Sequence, residues 1–152
     1  MAQQTVLPSL KSAVAGVIDP DATAAGTVTT GWISMATFNE LMAVVQVGTL
    51  GTNATVDAKL EQATDNSGAG AKDITGKAIT QMTQAGTDES DRQAVINLNA
   101  EELDVNNDFS HARLSVTVAT ATSDIGALVL GLGERYGPAS DNDLASVAEI
   151  VA

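Results

Sequence analysis

His111-Ala112-Arg113-Leu114-Ser115-Val116-Thr117-Val118 is the stretch that decides the fold class. Ala112, Leu114, Val116 and Val118 alternate with His111, Arg113, Ser115 and Thr117. A period of two puts one set of side chains on a buried sheet face and the other in water, so this is a strand. Working outward, Ala54, Val56, Ala58 and Leu60 alternate with Thr55, Asp57, Lys59 and Glu61, and Ala94, Ile96 and Leu98 alternate with Gln93, Val95 and Asn97. Leu41 to Val47 and Ala127 to Leu132 are apolar on both faces and read as central strands covered on both sides. Trp32 to Met35 and Ala78 to Thr83 are further strand candidates. Turn residues separate these runs at Gly48 to Gly51, Asp65 to Gly70, Gln84 to Asp88 and Asn106 to Asp108. Many short strands joined this way predict an all-β, antiparallel sandwich or barrel. Ala100 to Asp104 breaks the alternation and predicts one helical turn crossing an edge.

The two ends follow another period. Val6, Leu7, Leu10, Ala13, Val14, Val17 and Ile18 recur at helical spacing between Pro8-Ser9 and Asp19-Pro20, which predicts a short amphipathic helix. Asp21 to Gly31 is small and polar, as in a linker or extended arm. After Gly137-Pro138, Ser140 or Asp141 offers an N-cap for a helical stripe of Leu144, Val147, Ala148 and Val151. The expected organisation is therefore an N-terminal arm over 1–30, a β-sandwich over 31–137 and a helical tail over 138–152. Asp19, Asp21, Asp141 and Asp143 read as helix stops and starts.

Composition narrows the function. Of 152 residues, seven are Lys or Arg and nineteen Asp or Glu, for a net charge of −12. A chain of this length buries about 70% of its unfolded surface, enough for one core. At 44% hydrophobic and 17% charged it is too apolar for a disordered acidic tail. Trp32, Phe38, Phe109 and Tyr136 are the only rings, so the core must be Ala, Val, Leu and Ile. Nucleic acid is an unsuitable partner, because phosphate binding depends on Lys and Arg and single-strand binding on aromatic stacking. With no cysteine and one histidine, His111, thiolate chemistry and histidine-rich zinc sites are excluded. No apolar run approaches the roughly 20 residues that span a bilayer, so no membrane partner is expected. Ala13 to Ile18 with its single flanking Lys11 is too short for a signal peptide.

The chemical motifs fail on inspection. Gly70 to Gly76 followed by Lys77 encloses five residues where a phosphate loop needs four, and Ala78 stands where a hydroxyl should reach magnesium, so an ordinary glycine-rich loop is expected. In Gly131-Leu132-Gly133-Glu134-Arg135-Tyr136-Gly137, Tyr136 replaces the third glycine of a dinucleotide fingerprint and Pro138 blocks the helix. Those glycines read as ending a strand and opening a turn, with Arg135 and Tyr136 free for a surface contact. Asp104, Asn106 and Asp108 have calcium-loop spacing, but Phe109 and Ser115 occupy the positions of the required glycine and glutamate. His111 is the one conventional base for a serine nucleophile, yet it lies on the wet face of a strand and no Gly-x-Ser-x-Gly elbow exists. No catalytic, cofactor-binding or metal-binding residue is assigned.

Four ordered segments carry a resemblance: Val56 to Asp65, Gly70 to Gln81, Ile96 to Asp104, and Ala127 to Gly131 with Arg135 to Ser140. Over roughly residues 30 to 140 the chain resembles small proteins encoded beside the major capsid gene of tailed bacteriophages. The resemblance implies a head decoration or cement protein with a jelly-roll-like sandwich, to which the residue pattern of the two ends adds short terminal helices, and it supplies no catalytic residues. It implies binding to the major capsid protein, self-association as a homotrimer, and residence on the capsid surface after assembly in the host cytoplasm. A head-fibre base or tail component is the alternative within the virion, and a carbohydrate-binding or hydrolytic jelly roll the alternative outside it. The candidate partner-binding residues are Leu7, Leu10, Val14 and Val17 on the arm, with Arg135 and Tyr136.

Overall fold

The computed structural model describes residues 6–151. Ten strands run in the order β1 (Ser12–Thr23), β2 (Gly26–Thr29), β3 (Ile33–Ser34), β4 (Phe38–Val47), β5 (Thr55–Ala63), β6 (Lys72–Ala78), β7 (Met82–Thr83), β8 (Gln93–Asn99), β9 (His111–Ala119) and β10 (Ser123–Glu134). Among the described residues, helix is limited to four 3-10 turns, at Pro8–Leu10, Ala100–Glu102, Val105–Asn107 and Ala139–Asn142.

The strands form two antiparallel sheets. One has the order β1-β10-β4-β8, and the other β2-β9-β5-β6 with β3 on β9 and β7 on β5. If the two-residue strands are left out, successive strands pass repeatedly from one sheet to the other, and the first strand lies beside the last. Eight strands wound into two four-stranded sheets in this way make a jelly roll. The expected all-β antiparallel sandwich is thus observed, and the strand order settles its topology.

The core lies where the period-two patterns point inward. Ile18, Ala127, Val45 and Ala94 form one inward row across the first sheet, and Ala13, Gly131, Leu41 and Leu98 another. Facing them from the second sheet are Val56, Ala58 and Leu60 of β5 with Leu114, Val116 and Val118 of β9, all at most 2% exposed. Phe38 is the one ring fully inside, and the fit around it is close: a Cβ on Gly131 would stand 2.6 Å from its ring carbons. Gly131 therefore sits within β10 to make room for Phe38, and does not end the strand as the glycine pattern suggested.

The terminal helices are not formed. Val6 to Ile18 holds a 3-10 turn at Pro8–Leu10 followed by strand β1, which pairs with β10 over Ser12 to Thr23. Residues 12–29 thus supply two strands of the sandwich, where a separate arm was expected. The helical period has a physical cause. The β1–β10 register shifts between Val14 and Gly16, and again between Ile18 and Asp21, with one extra β1 residue at each. A bulge turns an alternation of two into a spacing of three, which mimics a helix. Asp19 and Asp21 lie in this bulged strand, where helix stops were expected.

At the other end, Ser140 and Asp141 lie inside the short 3-10 turn, and Pro138 holds its N-cap position. Asp143 accepts a hydrogen bond from the Val14 N–H at 2.6 Å, and the Leu144 N–H donates to the Val14 carbonyl at 2.9 Å. Asp143 and Leu144 therefore cover the outer edge of β1 at Val14, where the backbone groups of that edge need partners. Two further expectations change. The glycine-rich loop contains strand β6, Lys72–Ala78, and the strand expected over Ala78 to Thr83 contracts to Met82–Thr83.

Candidate functional site

The outer faces of the two sheets differ in chemistry. On the β2-β9-β5-β6 sheet the outward side chains are polar and pair with one another. Lys59 bridges Asp73 at 2.7 Å and Glu61 at 3.5 Å, and the Arg113 Nε donates to Glu61 at 2.8 Å. Arg113 also lies over the Trp32 ring, 4.4 Å from its centroid, as Lys72 lies over Phe109 at 4.1 Å. Lys72 bridges Asp104, and Lys77 bridges Glu102. Four of the seven basic residues are therefore engaged on or beside this sheet.

These pairings account for several sequence motifs. Asp104 is held by Lys72 and by the Asn107 amide, which together keep its carboxyl below the usual carboxylate range. No group of three or more His, Cys, Asp or Glu able to hold a metal occurs among the described residues. His111 Nδ1 lies 3.0 Å from the Ser110 hydroxyl, which also donates to the Thr64 carbonyl at 3.1 Å. A working nucleophile needs a base held by a third group beside a cleft. The Ser110 hydroxyl is instead tied to backbone, and its contacts tether the β5–β6 turn to β9.

The β1-β10-β4-β8 sheet presents the opposite surface. Strand register places Val17, Leu128, Val44 and Val95 in one row across all four strands, with Val14, Leu130, Met42 and Asn97 in the next. These eight outward positions carry no charge. Leu128 is 44% exposed and Val95 53%, while Val14, Val17, Met42, Val44 and Leu130 are half-buried. β4 and β10 are central strands, as their two-sided apolar character implied. The second cover expected of them is incomplete, since Leu128 and Val95 on that face stay exposed.

Both ends of this face are acidic. Where β1 bulges at Asp19-Pro20, a groove of about 610 Å³ opens between Pro20, Asp21, Gln46, Asp91, Gln93 and Asp124. Pro20 closes over Gly126 so tightly that a Cβ there would lie 3.0 Å from it. None of these three carboxylates pairs with a cation among the described residues. At the opposite end a smaller groove of about 290 Å³ is lined by Asn39, Glu40, Asn99, Glu101 and Arg135.

The six expected partner-binding residues all lie on or beside this sheet. Val14 and Val17 share its outer face because the bulge between them restores their common side. Leu7 holds the N-cap position, and Leu10 the last position, of the 3-10 turn that leads into β1. Arg135 follows β10 and donates to the Met35 carbonyl at 3.3 Å, and Tyr136 beside it is 83% exposed. Met42, Val44, Val95, Leu128 and Leu130 were not singled out as surface residues. The signal that could have found them was the two-sided apolar pattern of β4 and β10, which is ambiguous between a covered strand and an open apolar face.

No family model matches the chain, and no curated protein matches it. Among solved structures, a chain of Broad bean stain virus is similar at 14% identity, covering 76% of this chain and 64% of its own length, with a TM-score of 0.37. A chain of the Cowpea mosaic virus empty virus-like particle is 10% identical, with 91% and 89% covered and a TM-score of 0.41. The CBM22-1 xylan-binding domain of Paenibacillus barcinonensis Xyn10C is 16% identical, with 84% and 96% covered and a TM-score of 0.39. The jelly-roll assignment rests on the chain's own strand order.

Proposed function

We propose that this chain is a structural protein of a tailed-bacteriophage virion, which binds the outer surface of the capsid and reinforces contacts between capsomers. The observation that carries this reading is the open, uncharged face of the β1-β10-β4-β8 sheet on a protein of net charge −12. A soluble chain that leaves such a face to water has an apolar patch of the kind that marks protein contact sites. The ordered likeness of residues 30 to 140 to proteins encoded beside capsid genes supplies the class of partner. Self-association as a homotrimer fits a shell with local threefold positions. In this reading the chain performs no catalysis and carries no cofactor, and it acts by adding contact area across capsomer boundaries.

The test is to prepare particles with and without the protein. Under this reading the depleted particles assemble, lose DNA at lower temperature or lower ionic strength, and regain stability when purified protein is added back. Depleted particles of unchanged stability, or particles that contain no copy of the chain, would contradict it.

A further inference from the structure

We propose that the outer face of the β1-β10-β4-β8 sheet is the docking surface, and that its occupant is a protein surface apolar at its centre and basic where it meets Asp21, Asp91 and Asp124. The proposal deepens the capsid reading and rests on it. Three observations choose this occupant over a second copy of the chain.

The first is charge. Asp21, Asp91 and Asp124 stand at one end of the face with Arg92 as the nearby cation, and Glu40, Glu101 and Glu134 stand at the other with Lys11 and Arg135. Both ends are net negative. Two copies laid face to face would bring like charges together in either orientation, which is unfavourable across an interface. A basic partner would instead pair with carboxylates that form no ion pair with any described residue.

The second is contrast within the molecule. The opposite sheet neutralises its own outward charges, through Lys59 with Asp73 and Arg113 with Glu61, and so leaves little for a partner to satisfy.

The third is size. Four strands about 4.8 Å apart and at least seven residues long span roughly 19 by 23 Å. That is about half of the ~800 Å² per partner in a specific interface. The acidic groove, continuous with the apolar rows through Gly126, Gln46 and Gln93, extends the surface on the side where charge pairing is available.

The experiment is co-sedimentation of the full chain with shells assembled from the capsid protein of the same virus, at low and high salt. The variants are Leu128→Glu with Val95→Glu, then Asp21→Asn with Asp91→Asn and Asp124→Asn, and Val105→Glu as a control. Val105 is exposed and lies off this face. A thermal melt of each variant confirms folding. The apolar-face variant is expected to weaken binding about tenfold or more, as for truncation of a central contact. The Asn variant is expected to lose affinity chiefly at low salt, where charge pairing is least screened, and the control to bind as wild type. Unchanged binding by a folded Leu128→Glu, Val95→Glu chain overturns the surface assignment while the capsid reading stands. No binding by the wild-type chain overturns both. Wild-type dimers that Leu128→Glu dissociates, with shell binding unaffected, would make the occupant a second copy and overturn the choice of partner.

Discussion

Single residues show most directly how packing outranks motif in this chain. Gly131 and Gly133 resemble part of a nucleotide fingerprint, yet Gly131 is required because the Phe38 ring occupies the space of its Cβ. Gly131→Ala is expected to cost about 1–3 kcal/mol, as overpacking of a filled core does, and a denaturant melt would measure it. Thr120 sits between β9 and β10 at φ 74°, a left-handed conformation unfavourable for a β-branched side chain. Thr120→Gly should relieve that strain and raise the melting temperature, by about 1 kcal/mol of added stability. Nothing in the sequence marks Thr120, since a turn of Ala and Thr residues has no signature for positive φ.

The carboxylates define the acid response at the same scale. Asp65 is held below its ordinary range by the Ala69 backbone N–H and the Ser67 hydroxyl, Asp88 by Ser90, Glu102 by Lys77 and Asp104 by Lys72. A carboxyl whose folded value is depressed stabilises the native state above its unfolded value, and that stability is lost as pH falls through the folded value. Stability from these groups should therefore decline below about pH 4, the unperturbed carboxylate range. Asp104→Asn should make the acid limb of a stability–pH curve shallower, and an unchanged limb would count against the Lys72 pairing.

At the scale of elements, the alternating strands were legible and the bulged or polar ones were not. β5, β8 and β9 each bury one face more deeply than the other, though Ser115 on the outward side of β9 is also buried, so a period of two marks them within a residue or two. β1 reads as a helix because two bulges lengthen its spacing. β6 reads as loop because only Ile74 of its seven residues is buried and Gly76 takes a positive φ within it. The true place of β1 changes what a truncation does. Deleting residues 1 to 20 removes most of a strand that carries Ala13 and Ile18 into the core and covers the edge of β10. The truncated chain is expected to lose its cooperative thermal transition, because removing the strand leaves β10 as an unpaired edge. A truncated chain that melts like the full one would show that β1 is dispensable. The Asp143 and Leu144 contacts to Val14 blunt the edge of β1 in the full chain. Asp143→Ala should therefore lower stability by about 1 kcal/mol, the scale of one lost hydrogen bond.

Across the whole molecule, the sandwich class could be read from period and turns, but the pairing of distant strands could not. β1 meets β10 across more than a hundred residues, and no local pattern encodes that meeting. The candidate surface was half legible for the same reason. Val14 and Val17 were visible as part of the apolar stripe of an expected helix, and Arg135 and Tyr136 as turn residues free for a contact. Their union with Met42, Val44, Val95, Leu128 and Leu130 needs the strand order. That order separates the molecule's chemistry into a self-neutralised polar face and an open apolar one with acidic ends.

The measurement that tests the account most directly is an electron cryo-microscopy reconstruction, at a resolution that traces strands, of the virion to which the proposed function assigns this chain. The account predicts an eight-stranded jelly roll on the outer surface of the shell, with the β1-β10-β4-β8 sheet against the capsid and basic capsid side chains beside Asp21, Asp91 and Asp124. A jelly roll seated by its β2-β9-β5-β6 face, with Leu128 and Val95 in solvent, would contradict it.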